Sequence, residues 1–183
     1  MRITIINGEP VAASAFDGYV RQYADGLIDE GHGVTRLDLR DLDLKGCSGC
    51  WGCWVKTPGE CVKRDESATV CRTVLASDLV VFASPVVMGY TNALVKRACD
   101  QLIPLVHPAI VVDGDELHHL ARYERYPDLA LLLDVGPGSD AEDIEITTAI
   151  WARTARNLKG RLVFVAVADR SPEEVAHELA SVA

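Results

Sequence analysis

An open, doubly wound α/β sheet is the fold class the sequence predicts, on three observations. Its strand-like runs are apolar throughout rather than alternating, as strands buried on both faces require. Amphipathic stretches of helical period separate those runs. A chain of 183 residues, 49% hydrophobic, suits one core, so residues 1–183 are read as a single domain.

The elements follow in order. Ile3 to Ile6 is a short β-branched run, and an amphipathic helix is expected from about Ser14 to Glu30, ending at Gly31. Ser14 with Asp17 three residues on resembles a capping box, and a glycine tolerates the left-handed conformation that closes a helix. "GVTRLDL" reads as a second strand, and Asp65 can cap a helix running to about Ala76. "DLVVFAS" is a third strand, and Thr91 is expected to begin a helix to about Leu102. "DLALLLDV", a helix from about Ala141 to Asn157, "RLVFVAVA" and a last helix complete the set. In that last helix Ser171 is the N-cap, Pro172 sits at N1 and Glu174 at N3, a start signal with a mechanism.

Five such strands joined by helices imply one parallel sheet, and the flavodoxin-like order 2-1-3-4-5 is the expected topology. Ligands of such sheets bind beyond the carboxyl ends of the strands. That rule marks three loops, Gly8 to Ala13, Ser84 to Tyr90 and Asp134 to Ser139. A cysteine-rich loop at 46–64 leaves strand two at the same edge, and residues 104–127 are too long for a plain connection, so they are read as a surface excursion.

Net charge is −9 with the basic residues scattered, which argues against nucleic acid or an anionic membrane as a partner. "MRITIING" lacks the apolar core of a signal peptide. The longest apolar stretch, "LVVFASPVVMG", is cut by Ser84 and Pro85, short of the ~18 residues of a membrane helix. A cytoplasmic protein is expected, and in that reducing compartment clustered cysteines point to metal binding or catalysis rather than disulfides.

"KGCSGCWGCWVKTPGEC" spaces Cys47, Cys50 and Cys53 as C-x2-C-x2-C, with Cys61 after seven more residues. Gly46, Gly49 and Gly52 remove side-chain obstruction, and the "KTPGE" turn can fold Cys61 back, so four thiolates could form a cage. The spacing resembles that of a [4Fe-4S] site. Zinc, or thiols that are redox-active or merely packed, remain open. Cys71 and Cys99, in helices among apolar neighbours, are read as packing, and Trp51 and Trp54 as anchors of the loop.

"INGEPVAASAF" runs from strand one into helix one, where unpaired amides favour an anionic phosphate. Ser14 can donate to it or cap the helix, whereas Glu9 would repel a phosphate unless it points away or binds a cation. "SPVVMGY" pairs a backbone-fixing proline with a flexible glycine, so its backbone could bond the edge of a heterocycle.

Together the N-terminal loop, the cysteine segment with "VKRDE", and "SPVVMGYTNALVKRACDQ" resemble the flavodoxin-like NAD(P)H-dependent FMN reductases, most of all their iron-sulfur flavoprotein branch. The resemblance spans about residues 3–102. In that family the first loop runs Gly-Ser-Pro-Arg, then Ser-Asn-Thr, and binds FMN phosphate. Here Gly8, Pro10 and Ser14 match, while Glu9, Val11, Ala15 and Phe16 depart. The second loop maps onto Ser84, Pro85, Val86, Val87, Met88 and Gly89, with Val87 where tyrosine is usual.

The resemblance implies FMN exchanging electrons with a [4Fe-4S] cluster on Cys47, Cys50, Cys53 and Cys61, with NAD(P)H as a possible donor and a small redox partner or small-molecule acceptor. A flavin hydride step needs no general acid or base, and no catalytic side chain is assigned. It also implies a homodimer or higher oligomer. Two alternatives stand: an NAD(P)H-dependent FMN or quinone reductase without a cluster, and a non-catalytic module with a structural metal. His118 and His119 are expected at surface or subunit contacts.

Overall fold

The computed structural model describes residues 1–182. Its elements are β1 (Arg2–Asn7), α1 (Ala15–Asp29), β2 (Gly33–Asp38), α2 (Gly52–Val55), α3 (Ser67–Ala76), β3 (Leu79–Val87), β4 (Tyr90–Thr91), α4 (Ala93–Asp100), β5 (Val106–Asp113), β6 (Glu116–Ala121), β7 (Asp128–Asp134), α5 (Ala141–Asn157), β8 (Leu162–Val167) and α6 (Pro172–Val182). The main sheet runs β2-β1-β3-β7-β8, with these strands parallel. This is the expected flavodoxin-like order.

Alternate side chains of the buried strands feed two cores, as the two-residue period of a strand dictates. Ile6, Val80, Phe82, Leu131 and Leu133 pack beneath α3, α4 and α5, where Trp151 meets Phe82 with ring centroids 4.5 Å apart. Ile5, Val81, Ala83, Ala130 and Leu132 pack beneath α1 and α6. No helix among the described residues is long and apolar enough to cross a membrane.

Helix starts follow their caps. Ser14 Oγ accepts the Asp17 amide at 3.0 Å, Ser171 Oγ accepts the Glu174 amide at 3.2 Å, and Asp140 and Asp143 form a reciprocal capping box on α5. Gly31, at φ +85°, closes α1 where expected. Asp65 accepts the Ser67 amide at 3.0 Å, one residue outside the N-cap position.

Two expectations need correction. Helix α4 begins after Asn92, whose side chain accepts the Val95 amide at 3.1 Å, rather than at Thr91. Asparagine is the better N-cap, and Thr91 is held in β4. Residues Ser84 to Val87 are not loop but the end of β3, which turns back on β4 through Met88 and Gly89, both at positive φ; two such residues make the tight hairpin turn whose twist matches its strands. Within residues 104–127 the chain forms an antiparallel hairpin, β5–β6, turning at Gly114, a form the sequence reading did not specify. It is fastened to α5 by Arg153 and Arg156, which reach Glu116 and Asp113 at 3.0 Å.

Candidate functional site

Strand β1 delivers Asn7 to the carboxyl edge, fully buried, and this one side chain organises the first loop. Its amide nitrogen donates to Asp17 at 3.0 Å and to Asp38 at 2.7 Å, while its oxygen accepts the Glu9 amide at 3.0 Å. Asp17 is 0% exposed and also accepts from the Ala13 amide, Arg21 and Arg40. Burial alone would push its carboxyl up, but the Ala13 amide and the Arg40 guanidinium outweigh that and hold it below the usual carboxylate range. Arg40 also donates to the Glu9 carbonyl at 3.1 Å.

Glu9 neither points out to solvent nor meets a cation. It is 6% exposed, and its Oε1 accepts the Val11 amide at 2.8 Å. The residues singled out in the sequence therefore divide. Gly8 is buried, and a side chain there would collide with Val95 at 2.3 Å. Pro10 and Ala15 are exposed, Ser14 is half-buried, and the Phe16 ring packs into the core. In the first turn of α1, the Ala15 and Phe16 amides face outward along the helix axis as every first turn's must.

The second loop is clamped to the first. Gly8 donates to Ala83 at 2.8 Å, and Asn92 donates to the Gly8 carbonyl at 2.6 Å. Ser84, buried, accepts the Asn92 amide at 3.0 Å and donates to the Pro85 carbonyl. Pro85 and Val86 are half-buried, while Val87 and Met88 are 54% and 99% exposed, as Val11 is at 59%. Gly89 sits where any side chain would strike Asp143 of α5 at 2.4 Å. This edge combines apolar side chains free to cover a planar ring with backbone held rigidly behind them.

The cysteine segment is pinned at both ends. Asp43 and Lys45 amides donate to Glu66 and Asp65, Lys63 donates to the Gly46 carbonyl, and Gln101 donates to the Lys45 carbonyl. Trp54 donates its indole N–H to the Ile103 and Val106 carbonyls at 3.2 and 3.0 Å, the anchoring role expected of it, and Trp51 stacks on Trp54 at 4.7 Å. Gly52 admits Val62 at a distance no side chain would tolerate, which folds the arm carrying Cys61 onto α2.

As a result Cys47, Cys50, Cys53 and Cys61 all line one cavity of about 440 Å³, with Trp51, Lys63 and others. All four are free. Among the described residues, however, no three His, Cys, Asp or Glu side chains stand together closely enough to hold a metal ion. The Gly52 amide draws the Cys50 thiol down, whereas burial, then the neighbouring Cys61 thiol, pushes Cys53 up. Burial drives Cys71 to about 12 and Cys99 to about 11; both are packed thiols, although Cys99 also touches the cavity wall.

Sequence reasoning missed Asn7, Asp38 and Arg40. Their only sequence signal is position, since each sits at or just past the carboxyl end of β1 or β2. It also missed the hairpin, for which "VVDGDEL" held a recognisable Asp-Gly signal. His118 is buried against Glu116 at 2.9 Å, and His119 lies 5.0 Å from the Trp54 ring, so both brace the hairpin.

No curated protein matches the chain. Among solved structures, an azoreductase from Bacillus anthracis str. Sterne superposes with a TM-score of 0.67 at 15% identity, over 99% of this chain and 97% of that one. An NAD(P)H:quinone oxidoreductase from Methanothermobacter marburgensis gives 0.66 at 15% identity, over 98% and 95%. An FMN-dependent NADH-azoreductase from Bacillus anthracis str. Ames Ancestor, in complex with FMN, gives 0.64 at 13%, over 99% and 95%. Identities this low show the fold alone. The family described as NADPH-dependent FMN reductase, by contrast, matches residues 1–119 of the 183. Such a match favours an enzyme over a non-catalytic module, and it runs through the first loop, the cysteine segment and the β3–β4 turn: the chain belongs to the NADPH-dependent FMN reductase family, a family of NAD(P)H-dependent flavin oxidoreductases.

Proposed function

We propose that the protein is an NAD(P)H-dependent flavin reductase serving small-molecule acceptors such as quinones, and that it works without a cluster. The observation that carries this is the pair of carboxyl-edge loops bridged by Asn92, presenting Val11, Val87 and Met88 above rigid backbone. When bound, the flavin supplies the redox chemistry, taking reducing equivalents from NAD(P)H and passing them on. The chain's part is to bind and orient. Val11, Val87 and Met88 would cover the ring, the backbone of Pro85 to Gly89 would meet its polar edge, and Ser14 with the Ala15 and Phe16 amides would hold the phosphate end.

The test is steady-state oxidation of NADPH and NADH with added flavin, with and without a benzoquinone acceptor. Flavin-dependent loss of NAD(P)H absorbance is expected. No oxidation with either nucleotide at saturating flavin would contradict the reading.

A second reading rests on one observation, the four free cysteines on a single cavity wall. In it Cys47, Cys50, Cys53 and Cys61 would hold a [4Fe-4S] cluster, making the protein an iron-sulfur flavoprotein; the thiolates would have to close in from the cavity walls to do so. Iron and acid-labile sulfide, assayed after anaerobic purification and reconstitution, decide it. Their absence removes this reading and leaves the first standing. A cytoplasmic setting suits free thiols, and a homo-oligomer suits the exposed Ile110, Val112 and Leu117 of the hairpin; sedimentation velocity tests the latter.

A further inference from the structure

At the phosphate end the chain's own carboxylates already take two of the loop's amides, leaving those of Ala15 and Phe16 in the first turn of α1 facing outward. Val11's amide is taken by Glu9 at 2.8 Å and Ala13's by Asp17 at 3.2 Å. Arg40 and Arg21 reach this loop, and each is paired with Asp17 at 2.9 Å. Asp38, the third carboxylate beneath the loop, is paired with Arg36 at 2.8 Å. Arg40 is shared further with Asp38 at 3.5 Å and Asp41 at 3.8 Å, so each of these three guanidiniums already has a carboxylate partner before any ligand arrives. A phosphate would bring roughly two further negative charges beside Glu9, with fewer amides to receive it than the loop's length suggests.

The ring end shows no such self-occupation. Met88 is almost fully exposed and Val87 and Val11 are more than half exposed, and the backbone behind Val87 and Met88 is fixed by Ser84 and Asn92. The two ends of one site therefore differ in readiness. Resting on the flavin reading above, we propose that Glu9 is a specificity-determining residue: it keeps the phosphate loop self-satisfied, so that the site takes a flavin by its ring and gains little from the 5′-phosphate.

Glu9 is suited to this by length and place. Its side chain reaches the amide two residues on, and its own amide and carbonyl are fixed by Asn7 and Arg40, so the backbone that carries the carboxylate is held in place. Serine at this position would free the Val11 amide and remove the charge. Glutamine would remove the charge while keeping an acceptor for Val11.

The experiment is equilibrium titration of riboflavin and FMN by quenching of flavin fluorescence, on the native protein, Glu9→Ser and Glu9→Gln. Native protein should bind the two flavins within about 3-fold of each other. Both variants should tighten FMN, Glu9→Ser by about 10-fold, the size of one relieved like-charge contact near the surface, with riboflavin changed by less than about 2-fold. The glutamine variant, isosteric with the native side chain, guards against a loop that fails to form with serine. Native binding that favours FMN over riboflavin by more than about 10-fold, or FMN affinity unmoved in both variants, overturns this inference and leaves the flavin reading intact. Failure of all three proteins to bind either flavin overturns both.

Discussion

Two segments at the carboxyl edge of one sheet have opposite characters. In the first loop, residues 7–17, polar groups are spent on each other: Asn7, Glu9, Asp17 and Arg40 form a closed set of hydrogen bonds. In the cysteine segment, residues 46–61, the frame is closed but the thiols are not, and all four line an open cavity. Side chains consumed internally are committed to holding shape. Side chains left facing a cavity are available for chemistry or for a ligand.

The sharpest way to break that contrast is to remove its buried hub. Asp17→Ala leaves Arg40 and Asn7 without their shared acceptor, and about 3–5 kcal/mol of stability should go with it, measured by urea unfolding. Acid should reproduce part of this. The folded carboxyl lies below its ordinary value, so its stabilisation is complete above the unfolded value of about 3.9 and is lost as pH falls through the folded one. Asp65, Asp78, Asp113 and Glu116 are lowered as well, so Asp17→Asn should show a shallower acid limb than the native protein when unfolding free energy is followed from pH 6 downward. An unchanged acid limb would remove Asp17 from the hub.

The thiols should separate next. Cys50 is exposed and drawn towards thiolate by the Gly52 amide, while burial holds Cys71 near 12 and Cys99 near 11. At pH 7 iodoacetamide should therefore label Cys50 at least about 100-fold faster than either, as read by peptide mass spectrometry. A smaller effect is expected where the two loops touch. Gly8→Ala drives a methyl into buried Val95 and should cost about 1–3 kcal/mol by the same unfolding assay. Smallest of all, Cys47→Ser with Cys50→Ser, two exposed positions, should change stability by less than about 0.5 kcal/mol.

Much of the frame was legible in the sequence because it rests on local physics. The caps at Ser14 and Ser171 and the all-apolar strands name their elements directly, and burial on both faces names a parallel sheet. The β3–β4 hairpin and the start of α4 were misplaced because the Met88–Gly89 turn and the Asn92 cap compete within a few residues of Thr91. The closed character of the first loop was not legible at all. It depends on Asn7, Asp17 and Arg40 meeting across 33 positions of chain, a tertiary fact with no local pattern. Glu9 was recognised as a charge out of place, but only the fold shows it turned inward onto Val11.

If the reducing chemistry belongs to the bridged loops and not to the cysteine cavity, the cavity is dispensable for electron transfer from NAD(P)H to flavin. NADPH oxidation should be measured with saturating flavin in the native protein and in the Cys47→Ser, Cys50→Ser double variant, with folding verified by its unfolding curve. A rate within about 3-fold of native is expected. A fall to background in a fully folded variant would contradict a cluster-free reductase and assign the electron path to the cysteines.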